Sequence, residues 1–119
     1  MTIRLLVAED ETELVNVYKI ALPRYGIEVV DVASSGREAV EKYLGAPERF
    51  DAILMDHRMP GMSGLEASAV ILQKQPEARI VFGSADAWMK SEALETGATG
   101  FLQKPFEMAK LREALEKKR

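Results

Sequence analysis

Short apolar segments alternate along the chain with stretches in which apolar residues recur every three or four positions. Five segments are rich in Val, Ile and Leu and lack polar alternation, which is typical of strands that are covered on both faces. These predicted strands are residues 3–8, 27–33, 52–55, 78–82 and 100–102.

The stretches between the strands carry helix signals. Leu14, Tyr18 and Ala21 have the spacing of a buried helix face, and similar sets follow each later strand. Two predicted helices begin with a serine and a glutamate three residues later, the pattern of a capping box, at Ser35 and at Ser63. Helix ends are predicted at Gly26, Gly45 and Gly97.

This order of elements predicts one α/β domain over residues 1–119. Repeated βα units give a mainly parallel sheet, and right-handed crossovers place helices on both of its faces. The expected fold is therefore a doubly wound, five-stranded (βα)5 domain.

The composition of the chain excludes several kinds of metal site, binding surface and membrane segment. The chain has no cysteine and one histidine, His57, so a bound metal must be held by oxygen atoms. The net charge is -3, and the only basic run is residues 117–119, which argues against nucleic-acid binding. No apolar run approaches the roughly 20 residues of a membrane span, and the N-terminus lacks a signal-peptide pattern. We therefore expect no membrane contact and a cytoplasmic location.

Polar side chains follow four of the predicted strands. In open parallel sheets, ligands bind beyond the carboxyl ends of the strands. The residues at those positions are Glu9 and Asp10, Asp56, Ser84 and Lys104. Three carboxylates, one hydroxyl and one ammonium are therefore expected to converge on one rim.

This set suits phosphoryl chemistry. Three close carboxylates repel one another unless a cation lies between them, and Mg²⁺ prefers oxygen ligands and commonly joins carboxylates to a phosphate. Asp56 can act as a nucleophile toward phosphorus, while Lys104 and Ser84 contact phosphoryl oxygens. The competing structural interpretation is that Asp10 only caps the first helix, with Glu13 three residues on.

Four segments resemble the receiver domain of two-component response regulators, particularly those of the chemotaxis type. They are residues 7–11 (VAEDE), 53–64 (ILMDHRMPGMSG), 84–85 (SA) and 97–106 (GATGFLQKPF). The resemblance covers essentially the whole chain and implies the flavodoxin-like strand order 2-1-3-4-5. It also implies a cis peptide at Lys104–Pro105.

Residue by residue, the resemblance implies that Asp56 is the phosphoacceptor and that Lys104 pairs with the phosphoryl group. Ser84 would be the hydroxyl switch and Phe101 the aromatic switch. The magnesium ligands would be Glu9, Asp10, Asp56 and the carbonyl oxygen of Arg58.

The resemblance further implies the partners. A sensor histidine kinase or phosphotransfer protein would supply the phosphoryl group, and an output partner or fused output domain would respond. A homodimer that depends on phosphorylation is a further candidate. The domain would catalyse its own phosphorylation and slow dephosphorylation, acting as a switch and not as a metabolic enzyme.

Three other functions compete with this interpretation of the sequence. A flavodoxin-type cofactor binder needs a hydroxyl- and glycine-rich phosphate loop where this chain has Glu9, Asp10 and Glu11. A haloacid-dehalogenase-type phosphatase needs a second aspartate where this chain has Arg58. The main alternative is a receiver-like interaction module that works without phosphorylation.

Two further expectations concern the rim. The segment from Ser84 to Lys104 is shorter than is usual in the family, which predicts a truncated or displaced fourth helix. Arg58 and Asp86 lie two residues after Asp56 and Ser84, and we expect them to pair across the path of an attacking water. Trp88 is either a partner contact or packed on the sheet.

Overall fold

The computed structural model describes residues 2–117. Met1, Lys118 and Arg119, which include part of the predicted basic run, lie outside the described residues. The five strands are β1 Ile3–Ala8, β2 Ile27–Ala33, β3 Ala52–Asp56, β4 Ile80–Ser84 and β5 Gly100–Gln103. They are parallel and form one sheet in the order β2-β1-β3-β4-β5, as predicted.

A helix follows each strand. The α-helices are α1 Thr12–Ala21, α2 Gly36–Gly45, α3 Gly64–Lys74, α4 Lys90–Thr96 and α5 Met108–Glu116. Short 3-10 turns lie at Leu22–Tyr25, Pro47–Arg49 and Ala87–Met89. Within the described residues no helix is long and apolar enough to span a membrane.

The strands bury both faces, which explains their unbroken apolar sequences. Leu5 and Val7 of β1 pack with α1 and α5, whereas Leu6 and Ala8 pack with α2, α3 and α4. Because side chains alternate along a strand, each strand contributes to both cores. The two cores hold the sheet rigidly and fix where its carboxyl ends point.

Three strands have boundaries that differ from the prediction, and the smallest difference is that β5 ends at Gln103, one residue later than expected. β3 continues through Asp56, so the carboxylate belongs to the strand and does not follow it. β4 begins at Ile80, not at residue 78, because the Ala78 N–H closes a turn onto the Gln75 carbonyl oxygen. β4 then runs to Ser84, which places that hydroxyl on the last residue of the strand.

Of the two predicted capping boxes, the one at Ser63 is confirmed and the one at Ser35 forms only in part. At α3, Ser63 and Glu66 each accept the other's backbone N–H. At α2, Ser35 accepts from the Glu38 N–H, but the Glu38 carboxylate turns to the N–H of Ser34. The interpretation of Asp10 as a helix cap is wrong, since α1 begins at Thr12 and Glu11 holds the cap position without a side-chain bond.

The helix ends and the fourth helix follow the expectation. Gly26 and Gly97 adopt left-handed backbone angles, with φ of 71° and 114°, and terminate their helical segments. Gly45 is the last residue of α2. α4 has 7 residues, whereas the other α-helices have 9 to 11, in agreement with a truncated segment.

Candidate functional site

The carboxyl ends of β1, β3, β4 and β5 form one rim. Asp56 lies opposite Gly83 in the β3–β4 register, and Ser84 lies opposite Gln103 in the β4–β5 register. The Lys104 N–H donates to the Ser84 carbonyl oxygen over 2.8 Å, which continues the ladder beyond β5. The rim therefore brings together the polar residues that the sequence predicts there.

Three carboxylates cluster on this rim. Glu9, Asp10 and Asp56 each offer an oxygen, and these oxygens lie within 4.8 Å of one another. Glu9 and Asp56 are buried and Asp10 is exposed. Lys104 inserts its Nζ between the two buried acids, 2.6 Å from Glu9 Oε1 and 3.1 Å from Asp56 Oδ1.

A glycine lets the helix after β3 approach the buried aspartate closely. A Cβ atom on Gly64 would lie 2.2 Å from the Asp56 carbonyl oxygen, a distance that no side chain tolerates. The Gly64 N–H also donates to the His57 carbonyl oxygen over 3.0 Å. This close packing fixes the backbone from which the Asp56 carboxylate projects.

The cluster lines a small cavity. Its volume is about 260 Å³. The lining residues are Glu9, Asp10, Glu11, Asp56, Arg58, Ser84, Ala85 and Lys104. Every predicted phosphoryl- or metal-contacting residue therefore borders one space.

Burial and charge perturb the titration of this cluster. Burial raises the pKa of Asp56 to about 6; Lys104 opposes this rise, and the charges of Glu9 and Asp10 add to it. Burial works against the Lys104 ammonium, yet its contacts with Glu9 and Asp56 raise its pKa. The cluster thus holds excess negative charge that one lysine does not neutralise.

The cluster fits a magnesium ion. Its donors are oxygens, its charge exceeds that of Lys104, and it opens to solvent at Asp10. A hard divalent cation suits such a set, and Mg²⁺ typically keeps several waters beside one or two carboxylates. Arg58 borders the same cavity, so the predicted ligation by its carbonyl oxygen is compatible with the position of the residue.

The two predicted switch residues lie at different depths. Ser84 is buried, and its hydroxyl accepts the Asp86 N–H over 3.0 Å and contacts Met89 Sδ at 3.7 Å. Phe101 is half-buried on β5, opposite Phe82 of β4. In this structure the Ser84 hydroxyl is engaged by the loop after β4.

The cavity mouth carries the expected ion pair. Arg58 Nε and Nη2 donate to the two carboxylate oxygens of Asp86 over 2.7 and 2.9 Å. This pair joins the loop after β3 to the loop after β4. The predicted cis peptide is also present, between Lys104 and Pro105.

Comparison with known proteins identifies the family. The sequence model of the response regulator receiver domain matches residues 5–116. The chain belongs to the response regulator receiver domains. This membership leaves no support for the flavodoxin-type or dehalogenase-type alternatives.

Relatives of this receiver domain include chemotaxis proteins. The chemotaxis protein CheY of Thermotoga maritima is 37% identical over 116 residues, which cover 96% of this chain and 95% of that protein. Response regulator TrrA of Thermotoga maritima, solved with Mg²⁺ and BeF, is 31% identical with a TM-score of 0.86 and covers 98% of this chain and 97% of its own. CheY in the CheX–CheY–BeF3–Mg²⁺ complex of Borrelia burgdorferi is 27% identical with a TM-score of 0.87, covering 95% and 86%.

The elevated pKa of Asp56 predicts how the stability of the metal-free receiver domain depends on pH. A carboxyl group with a pKa of 3.8 when unfolded and about 6 when folded favours the native state only while it is protonated. The free energy of unfolding should therefore fall as the pH rises from about 4 to about 6, by about 3 kcal/mol at most from this group.

Urea unfolding in a chelator, compared with Asp56→Asn, measures this contribution. The variant lacks the titrating group, so its stability relative to wild type should rise across the same pH range. A constant difference between the two proteins from pH 4 to pH 7 would contradict the prediction. Added Mg²⁺ should reduce the advantage of the variant at neutral pH.

Some neighbours of the site were not predicted from the sequence. Tyr18 is buried on α1 and stacks on Phe106 with ring centroids 6.3 Å apart. Burial, together with the charges of Glu9 and Asp56, raises the pKa of Tyr18. The helical spacing of Tyr18 indicated a core residue, and nothing in the sequence placed it near the acids.

Proposed function

We propose that this receiver domain accepts a phosphoryl group on Asp56 from a phosphohistidine of a sensor histidine kinase or phosphotransfer protein. The observation that carries the proposal is the buried Asp56 carboxylate, held 3.1 Å from the Lys104 ammonium and beside Glu9 and Asp10. The test is incubation with acetyl phosphate and Mg²⁺, followed by intact-mass measurement. An alkali-labile phosphoryl adduct supports the proposal, and no adduct would oppose it.

The proposed transfer is a displacement at phosphorus. A carboxylate oxygen of Asp56 forms a bond to phosphorus, the bond from phosphorus to the imidazole nitrogen breaks, and its electron pair stays on the imidazole. Lys104 supplies a positive charge to a phosphoryl oxygen, and the Ser84 hydroxyl donates to another. Hydrolysis is a second displacement, in which a water oxygen forms a bond to phosphorus, the bond from phosphorus to the Asp56 oxygen breaks, and the Asp56 carboxylate and inorganic phosphate are released.

In this proposal Glu9, Asp10, Asp56 and the Arg58 carbonyl oxygen hold a magnesium ion. When bound, the ion neutralises charge on the transferring phosphoryl group. The residues of the chain position the reactants, because Gly64 fixes the backbone of Asp56 and the strand ladder fixes Lys104 beside Ser84.

Receiver domains interact with histidine kinases and with output partners. For this chain we propose that residues 1–119 act as one receiver domain in the cytoplasm. A homodimer that forms on phosphorylation is part of the proposal. Sedimentation with and without beryllofluoride and Mg²⁺ tests it, and an unchanged monomer would remove it.

Asp10→Ala is expected to weaken Mg²⁺ binding while leaving the Asp56 nucleophile in place. The variant loses an exposed carboxylate from the cluster, and the affinity should drop at least about tenfold, the loss typical even of outer-shell substitutions. A Mg²⁺ titration followed by amide NMR measures the change. Glu13→Ala, which removes an exposed acid from the first turn of α1, is the matched control. Equal affinities in both variants would place the metal elsewhere.

Charge reversal at Arg58 or Asp86 is expected to speed hydrolysis of the acyl phosphate. The pair partly covers the path of an in-line water, and because Arg58 is largely exposed, breaking the pair should change the rate by about fivefold or less. Decay of the adduct after donor removal measures the rate.

The double exchange, Arg58→Glu with Asp86→Lys, restores an ion pair and should return the rate toward wild type. Arg4→Glu is the control, because it breaks the Arg4–Asp51 pair at the opposite end of the sheet. Wild-type decay in both single variants would show that the pair does not gate water.

A further inference from the structure

An aromatic contact joins the two loops beside the phosphoacceptor. The rings of His57 and Trp88 meet edge to face, with centroids 6.4 Å apart and planes at 87°. Trp88 is 63% exposed, although tryptophan is among the residues that gain most from burial. Nδ1 of His57 is buried, with no hydrogen-bond partner among the described residues. Neither side chain has a role in the proposed transfer.

Trp88 is linked to the predicted hydroxyl switch through the backbone of its own loop. Asp86 precedes the 3-10 turn Ala87–Met89 that carries Trp88, and its N–H donates to Ser84 Oγ. On one side of Trp88, the Asp86 carboxylate holds Arg58. On the other side, Met89 is fully buried and contacts the same Ser84 hydroxyl. A displacement of Ser84 therefore disturbs both anchors of the turn that positions Trp88.

His57 is correspondingly fixed to the phosphoacceptor. It follows Asp56 directly, and its carbonyl oxygen accepts the Gly64 N–H at the start of α3. The His57–Trp88 contact thus joins the loop after β4, which carries the Ser84 contacts, to the loop after β3, which follows the phosphoacceptor.

We propose that His57 and Trp88 form a latch that holds the loop after β4 in its resting position and so opposes the switch. This inference rests on the proposed phosphoryl function and adds a regulatory contact to it. An aromatic pair of this geometry shifts an equilibrium by about two- to twelvefold. Loss of the latch should raise the apparent affinity for an acyl-phosphate mimic by that factor, because less free energy is spent on moving the loop.

The experiment is a double-mutant cycle with His57→Ala, Trp88→Ala and the double variant. The affinity for beryllofluoride in saturating Mg²⁺ is measured by calorimetry, which does not depend on tryptophan emission. Trp88→Phe keeps an aromatic ring and should restore most of the wild-type affinity. Leu94→Ala, which truncates an exposed apolar side chain on α4, is the control and should bind like wild type.

A second readout needs neither metal nor mimic. Hydrogen exchange of the Asp86 amide, which is bonded to Ser84 Oγ, should be faster in the metal-free Trp88→Ala and His57→Ala proteins than in wild type. In the Leu94→Ala control, the Asp86 amide should exchange at the wild-type rate.

The latch is supported if both single variants bind the mimic more tightly and the double variant gains little more. Wild-type affinity in Trp88→Ala, weaker binding, or fully additive gains would each overturn it. If the proposed function is wrong, the wild-type protein itself will bind no beryllofluoride. The comparison of Asp86 amide exchange rates would then still test the contact between the loops.

Discussion

Asparagine in place of Asp56 is expected to abolish formation of the acyl phosphate, with no label above background after incubation with radiolabelled acetyl phosphate and Mg²⁺. An amide lacks the anionic oxygen that attacks phosphorus, and no other carboxylate of the cluster has the same placement. Asp56 alone among the three acids lies at the end of a central strand and contacts Lys104 from a backbone fixed by Gly64. The fold should persist, because the substitution removes a costly buried charge.

The matched control lies at the other end of the same strand. Asp51→Asn weakens the ion pair with Arg4 just before β3, so it changes a carboxylate and leaves the cavity untouched. It should label like wild type. Equal labelling of Asp56→Asn would assign the phosphoryl group to another residue, and an unlabelled wild type would favour an interaction module that works without phosphorylation.

The parallel sheet and the position of the rim could be predicted because both follow from local patterns, whereas the strand order 2-1-3-4-5 was implied by the resemblance to receiver domains. Unbroken apolar segments such as residues 52–55 require cover on two faces, and alternating elements then leave few topologies. Boundaries were less predictable. Ala78 is apolar enough for a strand, yet its N–H closes a turn, and only the chain geometry decides between the two.

Most of the candidate site was also predictable, since parallel strands end at one edge. That rule predicts that Glu9, Asp56 and Lys104 lie close together, and in the structure Lys104 contacts both acids. Contacts between loops were harder to predict. The Arg58–Asp86 pair followed from opposite charges at matched offsets, whereas the His57–Trp88 contact depends on the short turn after β4 and had no sequence signal.

Ser84→Ala is expected to remove most of the fluorescence response of Trp88 to beryllofluoride and Mg²⁺, each protein being compared with its own starting spectrum. The added group brings strong acceptor oxygens close to the rim, and the Ser84 hydroxyl must turn to reach them. To turn, it gives up the Asp86 N–H and the Met89 sulfur, which are its resting contacts. Alanine has no hydroxyl to move, so the turn that carries Trp88 should stay in place.

Ser68→Ala is the control, since Ser68 is a fully buried serine on α3 whose hydroxyl has no partner among the described residues. Its response should match wild type. A full response in Ser84→Ala would show that the signal reaches Trp88 without this hydroxyl.

The unliganded Ser84→Ala protein also tests the predicted aromatic switch. Phe101 lies half-buried opposite Phe82 and has no hydroxyl with which to form a new hydrogen bond. Its inward movement would be steric, driven by the space that Ser84 vacates, and Ser84→Ala creates that space without a phosphoryl group. An altered Phe101 side-chain resonance in unliganded Ser84→Ala would therefore separate the steric half of the switch from the hydrogen-bonded half.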